Sequence, residues 1–146
     1  MALNDVVLEW LKRYRVRSLV NAPCAGDDCG RLRNELGIED ILCVNIIPVN
    51  AAHVRADLCV WRPDRPFDAA YVNCLFCTSN GSPTGTKEDI AWNMSTWPVK
   101  RFIFYDTAID IDWKEAFETN GWSVVERSTK CYEAPPTRCE VWEHAA

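Results

Sequence analysis

Four apolar segments of the sequence are each accompanied by a polar side chain that can hold a ligand through hydrogen bonds. Asn21 ends the first segment, Asn45 lies near the end of the second, Asp57 lies in the third and Asn73 lies near the end of the fourth. An amide offers one acceptor and two donors without charge, whereas an ionised carboxylate only accepts. Ligands of parallel sheets bind beyond the carboxyl ends of the strands. If the four segments are such strands, these side chains predict a binding site for a polar ligand.

The eight cysteines of the chain offer a different chemistry, that of a metal site. Four thiolates that converge at the ends of neighbouring strands would bind a structural zinc ion. The candidates are Cys24, Cys29, Cys74 and Cys77. Against this site, the spacing between Cys24 and Cys29 would have to span the start of a helix, and we therefore expect buried thiols without a metal. Cys43 and Cys59 lie in apolar segments and are expected to be small core residues.

Apolar segments alternate with amphipathic helices along the chain, and this alternation sets the expected fold. The predicted strands cover residues 18–21, 41–46, 56–60, 67–76 and 100–106, followed by a hairpin of residues 122–126 and 139–142. Four helices are predicted. The first carries Val6 and Trp10 near the N-terminus, and the second ends at Gly37. The third begins at a capping box of Thr86 and Asp89, and the fourth covers residues 113–120. Strands without polar alternation, separated by helices, are typical of a parallel sheet covered on both faces. We predict a single α/β domain over residues 1–146, with a trimmed doubly wound, mostly parallel sheet and an antiparallel C-terminal hairpin strand.

The composition is that of one ordinary globular domain. The chain has 146 residues, of which 48% are hydrophobic and 25% charged, and its 16 basic and 21 acidic side chains give a net charge of −5. This length supports one hydrophobic core, and the apolar content excludes wholesale disorder. A net negative charge does not attract nucleic acid or anionic membranes overall, which argues against a sequence-independent nucleic-acid coat but leaves room for a local basic patch.

The succession of strand-end segments resembles the motifs of class I S-adenosylmethionine-dependent methyltransferases. The segments are Leu-Val-Asn-Ala-Pro-Cys-Ala-Gly at residues 19–26, Val-Asn-Ile-Ile-Pro at 44–48, Ala-Asp-Leu at 56–58 and Pro-Phe-Asp-Ala-Ala-Tyr-Val-Asn at 66–73. The resemblance follows the order of elements along almost the whole chain, and it rests on the succession of motifs rather than on any one of them. It implies a Rossmann-like methyltransferase fold and S-adenosyl-L-methionine as the cofactor.

The resemblance also implies roles for particular residues. The residues that would line the cofactor pocket are Asn21, Cys24, Gly26, Asn45, Ile46, Asp57 and Leu58. At the end of the fourth strand, Asn73 would position the amine of the methyl acceptor and Phe76 would hold the acceptor. For Asp57 two interpretations stay open: its carboxylate binds the adenine amine of the cofactor, or it only caps the turn after its strand.

Two functions from different classes follow from the resemblance. The first is methyl transfer to a nitrogen of a small molecule or a nucleobase. The alternative is a catalytically degenerate methyltransferase-like domain that acts as a binding or assembly protein. Gly26 is the only glycine before the second helix, and Asn21 and Asn45 stand where the family has acids, which favours the alternative. Asp57 and Asn73 favour the enzyme.

The N-terminal segment lacks the basic start and the uninterrupted apolar stretch of a secretory signal, and no segment is apolar enough to span a bilayer. We therefore expect a cytoplasmic protein without membrane contact. In that reducing compartment the cysteines are expected to be thiols, including Cys131 and Cys139 across the terminal hairpin.

The connection between the third and fourth predicted strands is too short for a crossover helix. Only residues 59–66 are available, with two prolines among them, whereas such a crossover usually needs about a dozen residues. The adjacent sheet edge should be poorly covered, and exposed apolar surface of that kind is normally buried by a partner. We expect a homodimer or a complex with another chain, with residues 59–65 in the contact and Trp61 as a candidate platform. The competing surface is the C-terminal hairpin around Val141 and Trp142.

Overall fold

The computed structural model describes residues 5–22, 28–45, 53–73, 84–106, 113–128 and 138–145. The helices in these ranges are α1 (Asp5–Arg13), α2 (Asp28–Leu36), α3 (Lys87–Met94) and α4 (Trp113–Thr119). The strands are β1 (Ser18–Asn21), β2 (Asp40–Asn45), β3 (His53–Arg55), β4 (Ala69–Asn73), β5 (Arg101–Asp106), β6 (Trp122–Ser128) and β7 (Arg138–His144).

A single seven-stranded sheet has the strand order β3-β2-β1-β4-β5-β7-β6. The strands from β1 to β5 pair in parallel, whereas β7 runs antiparallel to both β5 and β6. β1 lies between β2 and β4, so that Asn21 stands opposite Cys43 on one side and Tyr71 on the other. This topology confirms the predicted mostly parallel sheet with its reversed C-terminal hairpin. The strand order changes direction at β1, which is the point where ligands bind in such sheets.

Side chains of the central strands alternate between two hydrophobic clusters, one on each face of the sheet. Leu19 and Ile103 belong to the first cluster, to which α1 contributes Trp10. Val20 and Phe102 belong to the second cluster, which lies under α3 and α4. Because both faces are covered, both sets of side chains are apolar, and the strands read as continuous hydrophobic runs.

Two predicted helix signals are confirmed. Thr86 and Asp89 form a capping box at the start of α3: Thr86 Oγ1 accepts from the Asp89 N–H at 3.2 Å, and Asp89 Oδ2 accepts from the Thr86 N–H at 3.0 Å. Gly37 directly follows α2 with φ +67°, a left-handed conformation that glycine adopts without steric cost.

The third strand lies earlier in the chain than predicted, and the expectation of a strand over residues 56–60 is wrong. β3 pairs with β2 through Val54 opposite Val44, and the Ala56 N–H donates to the Asn45 carbonyl at 2.9 Å. The Asp57 side chain then accepts the Cys59 N–H at 3.0 Å. Together with backbone bonds from the Val60 and Trp61 N–H groups to the Asp57 carbonyl, at 3.1 and 2.8 Å, this side-chain bond forms a turn that ends the extended segment.

The fourth strand begins two residues later than predicted, because Asp68 has a different task. Its Oδ2 accepts the N–H groups of Arg17 at 2.8 Å and Ser18 at 3.3 Å, while Ser18 Oγ accepts the Asp68 N–H at 2.8 Å. Asp68 therefore fixes the start of β1 against the start of β4. The predicted continuation of the strand to residue 76 lies outside the described residues.

The connection between β3 and β4 crosses one face of the sheet without a helix, as predicted, but it comprises residues 56–68 and is therefore longer than the predicted 59–66. Asn93 of α3 holds it in place, since its Nδ2 donates to the carbonyls of Leu58 at 2.9 Å and Trp61 at 2.7 Å. The Trp61 ring packs edge-on against Trp97, with 5.3 Å between the ring centroids. Trp61 thus closes the margin of the core, and its neighbour Val60 is a large apolar side chain that is exposed, to 71%.

The expectation that the cysteines are thiols is wrong for three of them. Cys29 at the start of α2 and Cys43 on β2 form a disulfide with their Cα atoms 6.7 Å apart, and Cys139 is also disulfide-bonded. The β1–β2 register places Cys43 beside the end of β1. The first turn of α2 packs against that strand end, which brings the sulfur of Cys29 to the sulfur of Cys43.

Candidate functional site

Three asparagines end three adjacent strands. Asn45 ends β2, Asn21 ends β1 and Asn73 ends β4, and these strands are parallel neighbours in that order. Asp57 follows β3, the next strand along the sheet, by two residues. The structure therefore brings the four predicted polar residues to one edge of the sheet.

Asn73 presents a buried hydrogen-bond acceptor at this edge. The residue is 5% exposed, and its Oδ1 has no hydrogen-bond partner among the described residues. A buried polar atom without a partner costs about 1–3 kcal/mol. As far as the described residues go, this acceptor at the ligand-binding edge of the sheet is available to a ligand that carries a hydrogen-bond donor.

Asn21 is fully buried and links the end of β1 to the first turn of α2. Its Nδ2 donates to Cys29 Sγ at 3.8 Å, and Cys29 is in turn bonded to Cys43 of β2. The disulfide and the amide therefore fix the relative positions of β1, β2 and the start of α2.

The Asp57 carboxylate caps the turn that follows β3. Its Oδ1 accepts the Cys59 N–H at 3.0 Å, and its Oδ2 accepts the Thr84 hydroxyl. Of the two interpretations for this residue, turn capping is observed directly. An ionised carboxylate has about four lone-pair positions, so the cap is compatible with a further bond to a ligand, and that role stays a prediction.

A cavity of about 470 Å³ opens beside this turn. Thr84 lines the cavity, and its hydroxyl donates to the Asp57 carboxylate. Val60 and Trp92, 71% and 44% exposed, form an apolar rim. Gly85 also lines the cavity, and a Cβ atom at this position would lie 2.6 Å from Cys59 Sγ. The cavity has the size of a small-molecule site.

The remaining predicted site residues differ in their placement. The Leu58 side chain is fully buried in the hydrophobic cluster under α3, so it supports the turn from the core side. Cys24, Gly26, Ile46 and Phe76 lie outside the described residues, and their roles stay predictions.

The zinc alternative loses one of its four ligands, because Cys29 is bonded to Cys43. The other three, Cys24, Cys74 and Cys77, lie outside the described residues. Within the described ranges, no three His, Cys, Asp or Glu side chains come together in a metal-binding arrangement.

Two carboxyl groups with displaced pKa values lie at the opposite edge of the sheet, at the amino ends of the strands. The hydrogen bonds from Arg65, at 2.6 and 2.7 Å, lower the pKa of Asp40. Burial raises the pKa of Asp68. Hydrogen bonds from the N–H groups of Arg17 and Ser18, together with the charge of Lys100, lower this pKa by more, so that the net shift is downward. These shifts belong to contacts that hold the strand starts together.

Two residues near the site, Thr84 and Asn93, were not predicted from the sequence. Asn93 lies three residues after the buried Ile90 on α3, and this spacing places both side chains on the inward face of the helix. A polar residue on the inward face of a helix predicts a hydrogen bond to the segment beneath the helix, so Asn93 could have been found from the sequence. Thr84 carries no such signal, because only the folded chain brings its hydroxyl to Asp57.

Solved structures of methyltransferases share this fold. An rRNA methylase from Escherichia coli aligns with a TM-score of 0.66 and 11% identity, over 96% of this chain and 63% of that chain. Magnesium protoporphyrin IX methyltransferase ChlM from Synechocystis PCC 6803, crystallised with S-adenosylmethionine, aligns with a TM-score of 0.65 and 16% identity, over 97% and 77%. The 16S rRNA methyltransferase RmtF, in complex with S-adenosyl-L-homocysteine, aligns with a TM-score of 0.59 and 18% identity, over 94% and 62%.

The chain therefore has the Rossmann-like fold of class I methyltransferases. At these identities the likeness concerns the fold, and the chain spans less than two thirds of the length of RmtF and of the Escherichia coli methylase. No protein-family model matches the chain. No curated protein matches its sequence. The helices within the described residues all fall short of the length and hydropathy needed to cross a membrane.

Proposed function

We propose that the chain binds S-adenosyl-L-methionine at the edge formed by the ends of β1, β2, β3 and β4, and that it transfers the methyl group to a nitrogen of a small molecule or nucleobase. The observation that carries this proposal is the buried Asn73 Oδ1, which has no partner among the described residues. The fold also supports this proposal, because two proteins with the same fold were crystallised with S-adenosylmethionine or its demethylated product.

The described residues fit such a cofactor and its acceptor. When bound, S-adenosyl-L-methionine would supply an electrophilic methyl group. Asn73 Oδ1 accepts a hydrogen bond from the N–H of the acceptor amine and thereby orients the nitrogen lone pair. Correct positioning of two reactants can remove about 7–11 kcal/mol from a barrier, so a residue that only orients the acceptor suffices for a large effect.

The asparagines at β1 and β2 bear on the strength of cofactor binding. Asn45 replaces the acid that would accept hydrogen bonds from both ribose hydroxyls, and its amide offers a single uncharged acceptor. Hydrogen bonds to an ionised acceptor are about twice as strong as those to a neutral one. We therefore expect an affinity in the micromolar range or weaker.

A transfer assay tests the role of Asn73. The protein is incubated with methyl-labelled S-adenosyl-L-methionine and, separately, with nucleosides, RNA and small amines. We expect label transfer to one of these classes. Asn73→Ala should reduce the transfer rate by at least about tenfold and should still bind the cofactor. The control is Asn34→Ala, an exposed amide on α2.

Equal transfer by Asn73→Ala and by the unmodified chain would refute the positioning role. Cofactor binding without transfer to any of the three classes would favour the alternative of a degenerate binding or assembly protein.

We also propose a homodimer or a complex with another chain, which uses the surface around Val60. The support is the exposure of Val60 and Trp92 on the rim of one cavity. We keep the cytoplasm as the proposed location. Disulfides are rare in reducing compartments, so the redox state of Cys29 and Cys43 in freshly lysed cells tests this location. Free thiols would support the cytoplasm, and a disulfide would contradict it.

A further inference from the structure

A second cavity lies at the opposite edge of the sheet from the candidate cofactor site. It opens between the ends of α1 and α2, next to the starts of β1 and β2, and has a volume of about 460 Å³. Three cationic side chains line it, those of Lys12, Arg15 and Arg17, together with one carboxylate, that of Glu39. The cavity therefore carries a net formal charge of 3 − 1 = +2 in a protein whose overall charge is −5.

These three cations form no ion pair within the described part of the chain. Other cations there are neutralised: Arg13 by Glu126, Arg31 by Glu35 and Arg65 by Asp40. Like charges around one cavity repel each other, and this repulsion is removed when an anion binds between them. The arrangement is that of an anion site.

Arg15 occupies a position where the backbone favours glycine. It has φ +53°, in the left-handed region, two residues beyond the end of α1. The left-handed residue after α2 is a glycine, Gly37, with φ +67°. A residue with a Cβ atom pays about 1–2 kcal/mol for this conformation, so Arg15 is a costly choice for the turn alone.

The field of a helix terminus accounts for only one of the cations. Basic residues in the last turn of a helix are stabilised by its dipole, and this explains Lys12 in α1. The effect falls off beyond the last turn, where Arg15 and Arg17 lie. Their presence at the cavity has no such explanation.

Part of the cavity lining is apolar. Leu11 and Val16 are buried, and the half-buried Leu36 lines the cavity from α2. The volume lies within the range of sites for small organic ligands and exceeds what an inorganic anion needs. A ligand that fills it combines an anionic head with an apolar body.

From this charge, shape and lining we propose that the cavity binds a small organic phosphate monoester. A phosphate monoester carries a charge of about −1.5 to −2 near neutral pH, which matches the +2 of the cavity. The guanidinium groups of Arg15 and Arg17 bind phosphate oxygens in a bidentate fashion, and Lys12 acts as a point charge. The organic part of the ligand packs against Leu11, Val16 and Leu36.

Calorimetry with three probes in phosphate-free buffer tests this site. The probes are phenyl phosphate, which has both parts, inorganic phosphate, which has only the charge, and benzyl alcohol, which has only the ring. We expect phenyl phosphate to bind about tenfold more tightly than inorganic phosphate, because it also buries a ring. We expect no heat from benzyl alcohol.

Variants separate binding from folding. Arg15→Gly and Arg17→Gln should each weaken phenyl phosphate binding about tenfold, while Arg55→Gln, an exposed cation on β3, should leave it unchanged. Arg15→Gly should also keep or raise the thermal midpoint, because glycine relieves the left-handed backbone.

Two results would overturn the proposal. One is phenyl phosphate binding that is undetectable at millimolar concentration or equal in all three variants. The other is an RNA oligonucleotide that binds more tightly than phenyl phosphate and is lost in the same variants, which would mean an extended polyanion surface instead of a small-ligand site.

Discussion

At the scale of single residues, Asp57 joins the turn after β3 to the cavity beside the candidate cofactor site. Its carboxylate accepts from the Cys59 N–H and from the Thr84 hydroxyl, and Thr84 lines the cavity. The same carboxylate therefore has a demonstrated structural contact and a proposed contact with the adenine amine. The two roles have different consequences when the side chain is removed.

Replacing Asp57 by alanine should weaken S-adenosyl-L-methionine binding several-fold and lower the free energy of unfolding by about 1 kcal/mol, since one ligand bond and one turn cap are lost. Calorimetry gives the first quantity and urea denaturation the second. Asp64→Ala, an exposed acid in the same connection, is the control and should change neither. Unchanged affinity in a folded Asp57→Ala variant would leave turn capping as the only role.

The sequence predicted this edge of the sheet better than it predicted the contacts within it. Asn21, Asn45 and Asn73 could be placed there because each lies at or near the end of an apolar run, and parallel strands bring such ends together. The disulfide between Cys29 and Cys43 could not be predicted, since it depends on how the first turn of α2 packs on β2. Contacts of that kind depend on tertiary packing and not on spacing.

At the scale of elements, α1 is anchored to β6 by a polar cluster. Tyr14 Oη donates to Glu126 Oε2 at 2.6 Å, and Arg13 pairs with the same carboxylate. Burial, and then the hydrogen bond to Glu126, raise the pKa of Tyr14 to about 12. The hydrogen bond from Arg13 lowers the pKa of Glu126.

The Tyr14 pKa predicts an alkaline loss of stability. In the unfolded chain a tyrosine titrates near 10, so the neutral side chain stabilises the fold fully below about pH 10, and this contribution is lost as the pH rises toward about 12. We expect a change on the order of 1 kcal/mol, allowing for solvent screening. The measurement is the free energy of unfolding from pH 8 to 12, compared with Tyr14→Phe. A difference between the two proteins that stays constant over this range would contradict the assignment.

The error in β3 shows where element prediction reached its limit. Residues 56–60 contain Leu58 and Val60, and their apolar character predicted a strand, but the Asp57 side chain bonds to the Cys59 N–H and turns the chain. This side-chain cap and the backbone bonds from the Val60 and Trp61 N–H groups to the Asp57 carbonyl replace the strand ladder here. The terminal hairpin was predicted correctly, because its two apolar runs flank a Pro-Pro segment.

At the scale of the whole molecule, the exposed apolar side chains indicate where a second chain could bind. Val60 and Trp92 share the rim of one cavity, and Val125 lies on the edge strand β6, on the far side of the sheet. Val60 lies within the predicted interface of residues 59–65 and Trp92 lies beside it on α3, whereas Val125 lies in the C-terminal hairpin, the competing interface. Trp61 is unsuited to a test, because its ring packs on Trp97.

Light scattering with two matched variants decides between these surfaces. We expect the unmodified chain to be a dimer at high concentration, Val60→Glu to be a monomer because it buries an unpaired charge, and Val125→Glu to remain a dimer. The reverse pattern would place the interface on the hairpin. A monomeric unmodified chain would refute the homodimer.

Binding of the cofactor tests the central proposal most directly. S-adenosyl-L-methionine and S-adenosyl-L-homocysteine are titrated into the purified chain by calorimetry, with adenosine 5′-monophosphate as a control for unspecific adenine binding. The proposal predicts saturable binding of both, one molecule per chain, in the micromolar range or weaker, with no comparable binding of the control. Heat indistinguishable from buffer at millimolar concentrations of either ligand would contradict it and would favour a methyltransferase-like fold that serves as a binding or assembly domain.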